Sequence, residues 1–299
     1  MDEIKLISLY FFICESYDRE LRWHCQRFSP NQRQTFTDEE ILTVYLYSVT
    51  VEEKTKIKSI HRYAERYLKS WFPQLPSYQA FDARLNRLAS ALPQLTACLL
   101  QEVEQCDICP RISIADSLPI IMCSHKRRCK VARPWVDKGI CPTKNTHYWG
   151  AKLHSVCYHR PGQVPLPEFL LLTPASENDL TVLRSVLPQL HNRIIFGDKI
   201  YSDKHLNEQL LREQNTYIYT PVKLVRGQSV EQRQFNKAAD DLFSAAVSKV
   251  RQPIESFFNW LIEHTDIQKA SKVRSLNGLI VHVFGRIAAA LTMWTIFNP

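Results

Sequence analysis

Three acidic residues have surroundings that would let them meet in the folded chain. Asp116 and Asp198 each follow a short apolar run typical of a β-strand, and Glu255 lies just after a proline suited to the first turn of a helix. Strands that end in Asp would present their acids at the C-terminal edge of a sheet, where α/β folds place their sites. Converging carboxylates need a cation between them, because like charges a few ångströms apart do not all stay ionised. Oxygen-only ligands suit Mg²⁺ or Mn²⁺, and a pair of such ions supports in-line displacement at phosphorus.

Each of these acids also has an ordinary structural explanation when it is taken alone. Asp116 and Asp198 could close turns or cap helices. Arg251 and Glu255 are four residues apart, so they share a helical face and could form a surface ion pair. Arg251 could instead orient Glu255 or hold a phosphate.

The composition favours a polyanionic partner. The 299 residues include 38 Lys and Arg against 30 Asp and Glu, a formal net charge of +8, although many basic proteins bind no nucleic acid. The nine cysteines are scattered and odd in number, which favours free thiols in a reducing cytoplasm. Residues 279–297 are apolar, but His282 and Arg286 interrupt them, so we expect a buried amphipathic helix and no membrane span.

Basic residues near the acids are candidate DNA contacts. A loop after Asp116 is dense in Lys and Arg and has no apolar periodicity, which is typical of a phosphate-contacting segment. Two further basic side chains share one face of a following strand, and another stands beside Asp198. A solvated polar surface is the alternative in each case. The candidate DNA-binding residues are Lys126, Arg127, Arg128, Lys130, Arg133, Lys152, His154, Lys199 and Arg251.

The pattern of the chain changes at about residue 106. Apolar periodicity and a capping box at Thr37–Glu40 predict a small all-helical domain over 1–106, with basic faces that bind DNA, mediate oligomerisation or simply face solvent. Short β-rich runs then alternate with helical segments and give way to helices, which predicts an α/β domain over 107–299. Pro161 and Gly162 predict a hairpin turn between its second and third strands.

Taken in order, several segments resemble the DDE transposases of bacterial insertion sequences. The resemblance covers about residues 110–295, and Leu-Pro-Ser-Tyr at 75–78 resembles the helical front end of one such group. The chain differs at Ile200, Ser248 and Ile262, where relatives usually have Gly, Tyr and Lys. The matching segments are Asp-Ser-Leu-Pro (116–119), the basic loop, Tyr-Trp-Gly-Ala-Lys-Leu-His (148–154), Thr-Pro-Ala-Ser-Glu-Asn-Asp (173–179), Gly-Asp-Lys-Ile-Tyr (197–201) and Arg-xxx-Glu (251–255).

This resemblance implies an RNase H-like mixed sheet flanked by helices and preceded by the helical domain. It implies that Asp116, Asp198 and Glu255 bind two Mg²⁺ ions, for which Mn²⁺ can substitute. The implied reaction cuts double-stranded DNA at transposon ends and joins the freed 3′-hydroxyl to target DNA. A homodimer in a synaptic complex, in the bacterial cytoplasm at the nucleoid, would carry it out. A catalytically inactive, sequence-specific DNA-binding protein and an RNase H-like nuclease without strand transfer are the alternatives.

Overall fold

The protein forms two compact units, one of helices and one built around a sheet. The computed structural model describes residues 2–25, 34–103, 108–141, 146–223, 227 and 229–297. The helical unit comprises Met1–Glu104, Lys130–Arg133 and Leu261–Pro299, and the sheet unit comprises Gln105–Cys129 and Pro134–Trp260. The predicted boundary at residue 106 lies outside the described residues. The structure differs from the predicted division at the C-terminus, because the end of the chain packs with the helical unit.

The helices and strands have the following bounds. The helices are α1 (Glu3–Arg19), α2 (Asp38–Thr50), α3 (Ile57–Tyr67), α4 (Tyr78–Arg87), α5 (Ala91–Glu102), α6 (Asp179–Val186), α7 (Lys204–Gln214), α8 (Val230–Arg251), α9 (Pro253–Thr265) and α10 (Leu276–Thr292). The strands are β1 (Cys109–Ser124), β2 (Asp137–Cys141), β3 (Thr146–His159), β4 (Leu166–Pro174), β5 (Ile194–Phe196) and β6 (Tyr217–Tyr219).

The apolar helix α10 forms the centre of the helical unit. It packs against α2 and α5, and α1 packs against α2. Among the described residues, one helix, Leu276–Phe297, is long and apolar enough to cross a membrane, and 61% of its most apolar stretch is buried inside the protein. This burial is what a core helix requires. The predicted capping box at the start of α2 is confirmed, since Thr37 Oγ1 accepts from Glu40 N (3.2 Å) and Thr37 N donates to the Glu40 carboxylate (2.5 Å).

The sheet is mixed, in the order β2-β3-β1-β5-β6, with β4 also paired to β3. Strands β1, β2 and β4 run antiparallel to β3, whereas β5 runs parallel to both β1 and β6. Apolar residues of β1, β3, β5 and β6 pack with α6 and α7 in one core cluster. The predicted hairpin turn joins β3 to β4, with Gly162 at φ +72°. This α/β arrangement confirms the RNase H-like fold.

Strand β1 corrects one detail of the expected site. We expected the strand to end at Asp116, but β1 continues to Ser124 because β3 pairs with it along this length. The neighbour that ends here is β5, whose pairing with β1 stops at Ile114 and Phe196. Pro119 is accommodated beyond that point, since a residue without an N–H is tolerated where a strand lacks a partner on one side. Asp116 therefore lies inside a strand but beside the end of the parallel pairing.

Candidate functional site

Asp116 and Asp198 lie close enough for their charges to interact. The parallel register ends with Ile114 opposite Phe196, and each acid follows two residues later, Asp116 within β1 and Asp198 after the end of β5. The charge of Asp198 also raises the pKa of Asp116, so the two carboxylates interact.

Arg251 connects these strands to the third acid. It is the last residue of α8, and Glu255 lies in the first turn of α9, which begins at Pro253. Its Nη1 donates to Asp116 Oδ2 at 2.6 Å, and its Nη2 donates to Glu255 Oε1 at 2.6 Å. The Arg251 and Asp116 side chains are 18% and 22% exposed, whereas that of Glu255 is 53% exposed. The sequence therefore indicated the Arg251–Glu255 contact correctly, and the fold adds Asp116 to it.

The environment of Asp116 disfavours its negative charge. Burial raises the pKa of its carboxyl to about 6. The Arg251 guanidinium and the hydrogen bond from Ser117 N oppose this rise in pKa, and the charges of Asp198 and Asp179 add to it. The positive charge of Arg251 does not cancel the effects of burial and of the neighbouring acids on Asp116. An additional cation would therefore stabilise the ionised Asp116 carboxylate.

The residues present fit a divalent metal by their chemistry, although they are not assembled around one point. Within the described ranges, no three His, Cys, Asp or Glu side chains come close enough together to bind one metal ion. The guanidinium of Arg251 takes the position between Asp116 and Glu255 that a cation would need. The donors are oxygens only, as Mg²⁺ and Mn²⁺ prefer. Because Asp198 and Glu255 are exposed, their side chains have room to turn toward Asp116.

Lys152 and His154 are engaged inside the protein. Lys152 Nζ donates to Asp179 Oδ1 (2.8 Å) and to Glu177 O (2.6 Å). His154 Nε2 lies 2.7 Å from Thr173 Oγ1, and its Nδ1 lies 3.5 Å from Asp179 Oδ1. Burial lowers the pKa of His154 to about 4, despite the opposing charge of Asp179. This network joins β3 to the start of α6, and the predicted DNA contacts of Lys152 and His154 stay predictions.

The other candidate DNA-binding residues lie on the surface. The basic loop is exposed, and the Arg128 guanidinium stands 6.0 Å from the centre of the Trp149 ring. Lys199 is exposed beside Asp198, whose Oδ1 accepts a hydrogen bond from Lys199 N (2.7 Å). Exposure places these cations where a phosphate backbone could reach them. The exposed basic residues of the loop are Lys126, Arg127, Arg128, Lys130 and Arg133.

Two residues at the site were not assigned a role from the sequence. Tyr201 is buried behind Asp198, and Gly197 lets it pack there, because a Cβ on Gly197 would lie 2.7 Å from the Tyr201 ring. Asp179 carries the charge that holds Lys152 and also acts on Asp116. Its position after Asn178, which caps α6, is a local signal for a helix start only. The contact with Lys152 depends on how α6 folds back on the sheet, which the sequence does not indicate.

One pocket lies apart from the three acids. It has a volume of about 390 Å³ and is mainly apolar, and none of the three acids lines it. It is bounded by Pro134 and Trp135 on one side and by β4 and α6 on the other. The cavity therefore adds no polar group to the chemistry at the carboxylates.

The comparisons with known proteins yield one match. A family model described as "Transposase DDE domain" matches residues 107–293, which include all three acids and Arg251. No curated protein and no solved structure gives a match.

Proposed function

The chain belongs to the DDE transposases, and we propose that it cuts double-stranded DNA at transposon ends and joins the freed 3′-hydroxyl to target DNA. In this proposal Asp116, Asp198 and Glu255 are the catalytic, metal-binding residues. The observation that carries it is the Arg251 bridge, which brings the helix bearing Glu255 to Asp116, whose pKa is also raised by the charge of Asp198. Carboxylates gathered around one cation at the edge of an exposed surface suit phosphoryl transfer better than a structural role.

The three carboxylates would hold two Mg²⁺ ions, or Mn²⁺ in their place, which activate the attacking oxygen and stabilise the charge at the reacting phosphorus. The chain's own contribution is the position and charge of the acids. Asp116 is fixed by strand β1 and by the hydrogen bond from Ser117 N. Within the part of the chain that the structure describes, the Glu255 carboxylate has one hydrogen bond, from Arg251, and its side chain is 53% exposed, so it is the acid best able to adjust its position. If metal ions replace Arg251 at Asp116 and Glu255, its guanidinium could donate hydrogen bonds to a phosphate oxygen.

DNA binding in this proposal rests on the exposed cations. Lys199 and the basic loop (Lys126 to Arg133) would contact the phosphate backbone, which binds Lys and Arg without regard to sequence. Contacts from Lys152 and His154 would require both side chains to leave their partners, so we rank them after the loop. We further propose that the protein acts as a homodimer in the synaptic complex, in the cytoplasm at the nucleoid.

The test compares the wild type with Asp198→Asn on DNA that carries the sequences flanking the gene. We expect Mg²⁺-dependent nicking at a repeat boundary by the wild type, loss of nicking in Asp198→Asn, and equal DNA binding by both in a mobility-shift assay. Asp18→Asn is the matched control, because Asp18 is an exposed acid on α1 and should leave nicking unchanged.

Other outcomes would lead to other functions. If Asp198→Asn nicks as well as the wild type, the assignment of the three acids is wrong. If neither protein nicks in Mg²⁺ or Mn²⁺ while both bind tightly, the chain is a DNA-binding protein without catalysis. If it nicks without joining ends to target DNA, it is an RNase H-like nuclease.

A further inference from the structure

Helix α8 exposes large apolar side chains that the sheet unit does not cover. Phe235 is 90% exposed and Leu242 is 74% exposed. The opposite side of the helix is attached to the unit, where Val247 is buried, the Phe243 ring lies 5.8 Å from that of Tyr219, and Ser244 Oγ accepts from Val222 N. The exposed apolar side is therefore not a consequence of a detached helix.

The exposed residues follow the spacing of a helix–helix seam. Positions that alternate by four and three residues form a continuous stripe along a helix, which is how coiled-coil partners meet. On α8 every residue of one such stripe is exposed, and its four inner members are apolar. We call this stripe the α8 seam; it consists of Glu231, Phe235, Ala238, Leu242, Ala245 and Lys249.

The α8 seam is complementary to itself when two copies run antiparallel. A twofold axis near Asp240 would set Phe235 of one copy against Ala245 of the other, and Leu242 against Ala238. Large side chains would then meet small ones, which allows close packing of the two helices. The same axis sets Glu231 against Lys249, so opposite charges close both ends of the apolar stretch. Because the axis is twofold, each of these contacts occurs two times in the interface.

We propose that the α8 seam is a homodimer interface, in which α8 of one chain pairs antiparallel with α8 of a second copy. A 22-residue helix is about 33 Å long, enough for several turns of contact on each side. The apolar centre of the seam carries no basic residue for a phosphate backbone, which argues against DNA as the occupant. The proposal names a surface outside the carboxylate site, and pairing through it requires neither metal nor DNA.

The test measures the mass of the full-length protein by sedimentation equilibrium, without DNA or metal, over a range of concentrations. We expect a dimer whose Kd rises about tenfold or more in Leu242→Glu, because the new charge would be buried at the interface. Lys237→Glu is the control, since Lys237 is exposed on α8 outside the seam and should leave the Kd unchanged. Circular dichroism of each variant verifies that it folds.

Charge reversal tests the antiparallel orientation separately. Glu231→Lys and Lys249→Glu should each raise the dimer Kd about two- to fivefold by setting like charges together, and the double variant should restore it. A monomeric wild type, or a dimer insensitive to Leu242→Glu, would overturn the interface. Single effects without rescue in the double variant would overturn the antiparallel pairing. These outcomes do not depend on nicking activity, so they can be distinguished from failure of the proposed function.

Discussion

Arg251 is the positive charge between two carboxylates of the candidate site. Its two hydrogen bonds, each 2.6 Å long, are charge-assisted and belong to the strong class of such bonds. A metal ion bound by Asp116 and Glu255 would have to replace these contacts. The guanidinium and a divalent cation therefore compete for the same acids, and the affinity for metal depends on Arg251.

We predict that Arg251→Gln binds Mn²⁺ more tightly than the wild type in the absence of DNA. Removal of the competing guanidinium leaves Asp116 and Glu255 without their counter-charge. Hydrogen bonds to charged groups are worth about 1.5–3 kcal/mol, so we expect the Mn²⁺ Kd to fall roughly tenfold or more. Titration calorimetry, or electron paramagnetic resonance of free Mn²⁺, measures this Kd directly.

Arg184→Gln is the matched control for a general change in charge. Arg184 belongs to the same unit and pairs with Asp203 at 2.6 Å, outside the candidate site. It should leave the Mn²⁺ Kd unchanged. If the Mn²⁺ Kd falls equally in both variants, or does not fall in Arg251→Gln, the Arg251 guanidinium does not compete with metal.

At the residue scale, the sequence indicated the three acids but not the network beneath them. Asp116, Asp198 and Glu255 stand out because each has a recognisable local setting. Asp179 and Lys152 are each ordinary in their own segment, and only the return of α6 onto the sheet brings them to 2.8 Å. Local patterns predict which side chains can do chemistry, whereas long-range packing decides which of them meet.

At the element scale, the site depends on the close pairing of β1 with β3. A Cβ on Gly150 would lie 1.9 Å from Ile120 O, so any larger residue forces the two strands apart. We predict that Gly150→Ala lowers the free energy of unfolding by about 3 kcal/mol, at the upper end of overpacking effects. Urea unfolding measures the change.

Gly162→Ala is the comparison for this substitution. Gly162 has φ +72° in the β3–β4 turn, and no atom of the described residues lies within 4 Å of an added Cβ. Gly162→Ala should lower the free energy of unfolding by about 1–2 kcal/mol, through backbone strain alone. If both variants lose the same free energy of unfolding, the close approach of Gly150 to β1 does not determine the stability of the sheet.

Elements with local signals were predictable, and those that depend on distant partners were not. Thr37 begins α2 through a side-chain cap, as its sequence context indicated, and Ser77 and Asp203 cap α4 and α7 in the same way. Strand β1 extends eight residues past Asp116 because β3 pairs with it there. Strand β2 lacks a clear pattern of its own and forms by pairing with β3. Strand length is set by the neighbour as much as by the strand's own residues.

At the scale of the whole molecule, the last part of the chain belongs to the helical unit, although it follows the sheet segments in sequence. Helix α10 follows the sheet segments in sequence but packs against α2 and α5. Its interruptions, His282 and Arg286, are both buried and both bonded. His282 Nε2 lies 2.8 Å from Ile267 O, and Arg286 Nη2 donates to Thr55 O at 2.8 Å. The sequence correctly predicted a buried helix, but the two helices that pack against it, α2 and α5, lie more than 170 residues earlier.

The burial of His282 makes the stability of the protein sensitive to acid. Burial, with the charge of Arg286, lowers the pKa of His282 from 6.5 to about 3. The unfolded chain therefore takes up this proton first as the pH falls. The stabilisation that the neutral ring contributes is complete above about pH 6.5 and is lost as the pH falls toward 3. Near pH 5 the loss from this group amounts to about 2 kcal/mol.

We predict that His282→Gln reduces the difference in unfolding free energy between about pH 7.5 and pH 5 by roughly 2 kcal/mol. Asp116 acts in the opposite direction, because its pKa is raised in the folded state, so only the difference between variants isolates His282. Urea unfolding at the two pH values gives both free energies. His191→Gln, at an exposed histidine, should keep the wild-type difference. If His282→Gln also keeps it, the acid sensitivity arises elsewhere, with the buried His154 as the next group to test.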